Sequence, residues 1–249
     1  MRGGMSLLEV KNLFKSFGGL MALCDLQFEV EEDEIIGLIG PNGSGKTTLF
    51  NVVTGLLKHD RGSILFRNEE IIGLKPYQIC QRGIARTFQL VKPFLRMTVL
   101  ENVMVGKCFG TTSIPRLKRA EEGAEEILDH VGLRGRKDTP AYALTLIDRK
   151  RLELARALAT QPKMLLLDEL MAGLNPSEIE AAIGLISGIN RTGITIIIVE
   201  HVMKALLRIS KRVIVLDAGR KIAQGPPQEV VQNPDVIKAY LGKKIDARS

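Results

Sequence analysis

The 249-residue chain has no tryptophan, three tyrosines and eight phenylalanines, so aromatics make up only 4% of it. That scarcity argues against a surface for reading nucleic acid, where aromatic rings interleave with basic residues to stack on bases. Cysteine is equally sparse. Cys24, Cys80 and Cys108 form no metal-spaced pair, and an odd count leaves one thiol over if any two joined. A disulfide-stapled scaffold is excluded, and a reducing, cytosolic compartment fits. No apolar run approaches the ~18–20 residues of a membrane span; the strongest, residues 194–199, has the length of a strand. The opening Met1-Arg2-Gly3-Gly4-Met5-Ser6 leads into an alternating pattern rather than a signal-peptide apolar block. Internal repeats, low-complexity tracts and the Gly-x-Gly-x-x-Gly of a dinucleotide-binding turn are also missing.

What remains is the composition of an ordinary globular domain, 45% apolar and 25% charged. The net charge of +7 is distributed along the chain with no basic tail. Solvated surface charge accounts for it first, proximity to anionic lipid second and nucleic acid third. The order of elements follows from hydrophobic period. Leu8, Val10 and Leu13, then Phe28 and Val30, alternate as half-buried strands do, and residues 62–66 supply a third. These predict a small antiparallel layer. Residues 35–39, 164–167, 195–199 and 213–216 are instead continuously apolar, the mark of parallel strands covered by helices on both faces. Between about 92 and 159 helical periodicity dominates. The reading is a single α/β domain over residues 1–249, with a core of 1–91 and 160–249 and a helical subdomain of 92–159 inserted into it. Two terminal helices follow the Gly225-Pro226-Pro227 and Asn233-Pro234 punctuation.

Chemistry concentrates where strands end. Directly after Ile35–Ile39 stands Gly40-Pro41-Asn42-Gly43-Ser44-Gly45-Lys46-Thr47-Thr48. A strand, a glycine-rich turn and a helix start aim backbone N–H groups and a positive helix end at one anion. Lys46 can then reach the β- and γ-phosphates of a nucleotide and the Thr47 hydroxyl can ligate Mg²⁺. The strand at 164–167 ends in Asp168-Glu169. On the same sheet edge these would face the same phosphates, Asp168 toward the metal and Glu169 as general base for an attacking water. Residues 195–199 end just before Glu200-His201, which would put an imidazole near the γ-phosphate; taken alone, a lone histidine is as readily a surface residue.

In this order the motifs resemble the ATP-binding cassette ATPases, over essentially the whole chain. The resemblance implies a P-loop NTPase core of mostly parallel sheet with an antiparallel β layer and an inserted helical subdomain, binding ATP and Mg²⁺. It further implies that Phe17 stacks on adenine, residues 40–48 form the Walker A loop, and Gln89 senses Mg²⁺ and nucleotide. Asp168 and Glu169 then match Walker B and the catalytic acid, Ala172-Gly173-Leu174-Asn175 the loop at the dimer interface, and His201 the switch histidine. Closer resemblance is to the subfamily that energises bacterial import of branched-chain amino acids. It is carried by Lys15-Ser16-Phe17-Gly18-Gly19-Leu20, by Arg86-Thr87-Phe88-Gln89 followed by Met97-Thr98-Val99-Leu100-Glu101-Asn102-Val103, by Ala172-Gly173-Leu174-Asn175-Pro176 and by the tail from Pro234 with its Ala239-Tyr240-Leu241-Gly242.

This implies an ATPase peripheral to the cytoplasmic face of the inner membrane. Its partners would be a second cassette subunit, identical or different, two permease subunits and, indirectly, a periplasmic or extracellular substrate-binding protein, with no role for nucleic acid. A lipopolysaccharide-type exporter ATPase and a weakly hydrolysing regulatory subunit are the alternatives. One segment departs from the family. Where Leu-Ser-Gly-Gly-Gln is usual, the chain reads Leu144-Thr145-Leu146-Ile147-Asp148. Thr145 keeps a hydroxyl for the triphosphate held by the opposite protomer, and the Thr145-x-x-Asp148 spacing predicts a capped helix start. Asp148 adds a negative charge, and two outcomes follow: a variant that the subfamily tolerates, or a composite site that turns over more slowly where it faces the partner's triphosphate.

Overall fold

The computed structural model describes residues 6–88, 92–111 and 117–246. Chain order begins with strands β1 (Ser6–Phe17), β2 (Leu20–Glu31) and β3 (Ile35–Ile39), then helix α1 (Lys46–Val53). Strands β4 (Arg61–Phe66) and β5 (Glu69–Glu70), helix α2 (Pro76–Arg82) and strand β6 (Ile84–Arg86) follow. Helices α3 (Val99–Phe109), α4 (Leu117–His130) and α5 (Leu146–Ala159) precede β7 (Met164–Asp168). Then come α6 (Pro176–Arg191), β8 (Thr195–Val199), α7 (Met203–Ile209), β9 (Arg212–Asp217), β10 (Arg220–Gly225), α8 (Pro227–Val230) and α9 (Pro234–Asp246).

Two sheets result. One is antiparallel, in the order β2-β1-β4-β5; the other runs β10-β9-β3-β8-β7-β6, parallel throughout except for β10 at its edge. The continuously apolar strands are explained by their two-faced burial. Along β3, Ile36 and Leu38 join the core shared with the antiparallel sheet and α1, while Ile35 and Ile39 join the opposite core. Residues of β7 and β8 divide in the same alternating way, Leu166 and Ile197 to the first face, Leu165, Leu167, Ile196 and Ile198 to the second. Side chains alternate across a strand, so burial of both faces demands an unbroken apolar run.

The expected antiparallel layer and the four continuous strands are therefore present. Strand β6 was not legible, because three residues, Ile84-Ala85-Arg86, carry no period. Between β6 and β7, helices α3, α4 and α5 pack on one another around Val103, Leu128 and Leu152. The start of α3 is a capping box, in which Thr98 accepts from the Glu101 N–H and the Glu101 carboxylate accepts from the Thr98 N–H. The two proline-punctuated helices near the end are α8 and α9.

Candidate functional site

Strand order, not chain order, assembles the site. In the parallel sheet β8 lies between β3 and β7, so the carboxyl ends of all three strands open on one edge. The glycine-rich loop leaves β3 there, Asp168 and Glu169 end β7, and Glu200 and His201 follow β8.

The loop between β3 and α1 depends on close backbone approach. A Cβ at Gly40 would lie 2.1 Å from the Leu216 carbonyl oxygen, so no other residue fits without moving β9. Gly45 adopts φ 105° as N-cap of α1 and leaves the helix start without a side-chain cap. Its first-turn N–H groups are thus available to an anion. The Lys46 ammonium folds back across the loop, donating to the Gly40 and Pro41 carbonyls at 2.7 and 3.0 Å and lying 3.4 Å from the Ser44 hydroxyl. Pro41, Asn42 and Gly43 shape the outer turn, and Thr47 and Thr48 sit in the first turn of α1.

Across the edge, His201 Nε2 and Glu169 Oε1 are 2.9 Å apart. Glu169 holds φ 53°, a left-handed conformation that is costly for a residue with a long side chain. Its N–H donates to the Val199 carbonyl at 2.9 Å, tying the end of β7 to the end of β8. Asp168 is almost fully buried and pairs with Arg86, Nη2 to Oδ2, at 2.7 Å. Arg86 also donates to the Asn51 side chain of α1 at 2.6 Å, and its guanidinium lies against the rings of Phe50 and Phe88 at 5.4 and 5.1 Å. The arginine thus connects β6, α1 and β7, a role its sequence position alone did not suggest. Its only sequence signal is a charge in an otherwise apolar tripeptide.

Three further groups carried no role that the sequence assigned. Glu153 of α5 is buried, and its carboxylate accepts the Phe88 N–H. Burial raises its pKa, and the Phe88 donor draws it partly back. Lys150, also on α5, is buried with its ammonium on main-chain carbonyls after β7, and burial lowers its pKa. Tyr240 of α9 has its hydroxyl pKa raised by burial, with the Gly40 backbone opposing, so the C-terminal helix reaches back to the loop.

Glu200 is the fourth. Burial pushes its carboxyl from the ordinary 4.5 up to about 7, against the Met171 N–H, which donates to it at 2.6 Å, and the nearby Lys150 charge. Among the described residues its Oε2 is buried with no hydrogen-bond partner. The folded chain therefore binds more protons than the unfolded chain between the ordinary glutamate range and about pH 7, and stability falls as pH rises through that window. Glu200→Gln removes this titration. In urea unfolding the variant is expected to exceed the parent by roughly 1–3 kcal/mol near pH 8 and to lose that advantage near pH 5. Parallel pH dependence of the two proteins would refute the assignment.

The other sequence-identified residues lie around this centre or apart from it. Phe17 is half exposed on the β1–β2 hairpin, with the Lys15 ammonium 5.3 Å from its ring centre. Gln89 lies outside the described residues. Thr145 is the N-cap of α5; its hydroxyl accepts from the Asp148 N–H at 3.3 Å and donates to Asp148 Oδ2 at 2.9 Å. Asp148 is buried and also faces Arg136 and Arg151 at 3.4 and 3.9 Å. Its charge is offset within the chain, which weakens the repulsion expected from the sequence. Asn175 caps α6, accepting from the Glu178 N–H at 3.0 Å.

A family model described as ABC transporter matches residues 23–172, well over half of the chain and including the loop, Asp168 and Glu169. The chain belongs to the ABC transporter family. As a member of that family it is an ATP-binding, ATP-hydrolysing subunit whose hydrolysis is coupled to transport. A second model, described as branched-chain amino acid ATP-binding cassette transporter, matches residues 220–246.

The chain is similar to the high-affinity branched-chain amino acid transport ATP-binding protein LivG of Escherichia coli (strain K12). They are 42% identical, over 95% of this chain and 98% of that one. Similarity to the lipopolysaccharide export system ATP-binding protein LptB of Haemophilus influenzae is 35%, over 97% and 99% of the two chains. Among solved structures, the ADP conformation of MJ1267, an ATP-binding cassette of an ABC transporter, superposes with a TM-score of 0.88. That structure is 34% identical, covering 96% of this chain and 99% of its own.

Proposed function

We propose that this ABC ATPase powers the import of branched-chain amino acids through separate membrane subunits. The observation that carries this reading is the C-terminal match. Residues 220–246, beyond the part matched by the general ABC model, fit the model described for branched-chain amino acid cassettes. They form β10, α8 and α9. On this reading two permease subunits form the pathway, a substrate-binding protein delivers the amino acid, and the chain works at the cytoplasmic face of the inner membrane beside a second cassette subunit. Among the described residues no helix is long and apolar enough to cross a membrane.

The proposed chemistry follows the sheet edge. The main-chain N–H groups of residues 42–48 and the Lys46 ammonium hold the triphosphate within the loop of residues 40–48, and Phe17 lies against the adenine. Glu169 orients and deprotonates the attacking water, and His201 hydrogen-bonds the γ-phosphate while fixing the Glu169 carboxylate. Thr145 at the start of α5 faces the triphosphate held by the second cassette subunit.

Among the described residues no cluster of three or more His, Cys, Asp or Glu is placed to hold a metal. A sparse set of hard oxygen donors, the Thr47 hydroxyl and the Asp168 carboxylate, with Gln89 three residues beyond β6 in the chain, nevertheless fits Mg²⁺, which takes one or two protein ligands and completes its shell with phosphates and water. The ion would neutralise charge developing on the phosphate oxygens.

The similarity to LptB supports a second reading, an exporter ATPase. Reconstitution with the two candidate membrane subunits in vesicles separates them. ATP-dependent accumulation of labelled leucine, isoleucine or valine is the expected result. ATP-driven extraction of lipopolysaccharide, without amino acid uptake, would replace the import reading with the export one.

A further inference from the structure

The left-handed backbone of Glu169 requires something to hold it. For a non-glycine residue this conformation persists only where its surroundings over-determine it. The N–H side is fixed by the Val199 carbonyl at 2.9 Å. On the carbonyl side, the chain after β7 coils so tightly that the Glu169, Leu170 and Ala172 oxygens converge on one point. Three carbonyl dipoles aimed together repel unless a cation sits at their focus. That cation is the Lys150 ammonium, donating to Glu169 and Leu170 at 3.2 and 3.0 Å and closely to Ala172. Lys150 is itself buried, in the second turn of α5, so its long side chain spans from one element to another without solvent on the way.

We propose that Lys150 is a positioning residue for ATP hydrolysis, holding the Glu169 main chain in the conformation that presents its carboxylate to His201. Its ammonium lies on the main chain that follows β7, and it acts through Glu169. The proposal rests on Glu169 being the general base. It also makes α5 the element that sets this geometry, because α5 begins at the Thr145 cap and carries Lys150 five residues later. A displacement of the α5 start is thereby delivered to Glu169 through one side chain.

The test uses the full chain assembled with its partner subunits. Lys150→Met and the milder Lys150→Gln are compared with the parent for kcat, KM for ATP and equilibrium ATP binding, with thermal melts run alongside. Loss of alignment is expected to lower kcat by about 10- to 100-fold, with KM and ATP affinity little changed. Lys150→Arg, which keeps a charge and several donors, is expected to recover much of the loss.

The same changes are then placed on Glu169→Gln and read by single-turnover hydrolysis. A residue acting only through the Glu169 carboxylate adds no further loss once that carboxylate is gone. Unchanged kcat in Lys150→Met or Lys150→Gln overturns the proposal, as does an equal additional loss in the Glu169→Gln background. A Glu169→Gln protein with full turnover would instead defeat the general-base reading. If Lys150→Met does not fold, the glutamine and arginine variants still decide between these outcomes.

Discussion

Glu169→Gln is expected to cut steady-state ATP turnover by about 10²–10⁴-fold while leaving ATP bound. The substitution removes a proton-accepting oxygen and almost nothing else. The amide has the same shape, and the main-chain contacts to Val199 and Lys150 do not involve the side chain. The His201 ring, 2.9 Å from Oε1, retains an acceptor at that position. The loop at residues 40–48 is untouched, so affinity for nucleotide is retained and the unhydrolysed complex accumulates. Phosphate release and nucleotide retention after gel filtration measure the two halves of the prediction. Undiminished turnover would mean that the attacking water is activated elsewhere.

Removing Arg86 is expected to have the largest effect on stability. The Arg86 and Asp168 side chains are 6% and 4% exposed and meet at 2.7 Å. Breaking such a pair leaves a buried carboxylate without its countercharge, which costs about 3–5 kcal/mol. Arg86→Ala also strips the donor from the Asn51 side-chain Oδ1 and the cation from beside the Phe50 and Phe88 rings. Urea unfolding of Arg86→Ala, Asp168→Asn and the double variant forms a cycle. The double variant should lose clearly less than the sum of the two single losses, because neutralising Asp168 removes the uncompensated charge. Simple additivity would show that the two side chains do not depend on one another.

The contrast between these two residues shows what sequence could reveal. Glu169 was legible because it ends a continuously apolar run and follows an aspartate, and because strand ends of a parallel sheet are where ligands bind. Arg86 had no role legible in the sequence, since nothing in Ile84-Ala85-Arg86 tells that β6 joins the sheet beside β7. Lys150 looked like one more cation on an amphipathic helix. Only packing turns it inward to carbonyls roughly twenty residues further along the chain. Asp148 read as an unfavourable charge at a helix start, and the folded chain surrounds it with Arg136, Arg151 and the Thr145 hydroxyl.

By itself the sequence determined the place of the glycine-rich loop, the four continuously apolar strands of the parallel sheet, the antiparallel layer and the residues at three strand ends. Those are local properties: period, turn chemistry and the few residue types that suit an anion. Tertiary structure alone decided the order β3-β8-β7-β6, the burial of Arg86 against Asp168 and the reach of Lys150 to the Glu169 backbone. Each depends on which distant segments become neighbours. That is set by how the apolar faces of the whole chain close on one another, a sum over many weak contacts that no short window of residues contains.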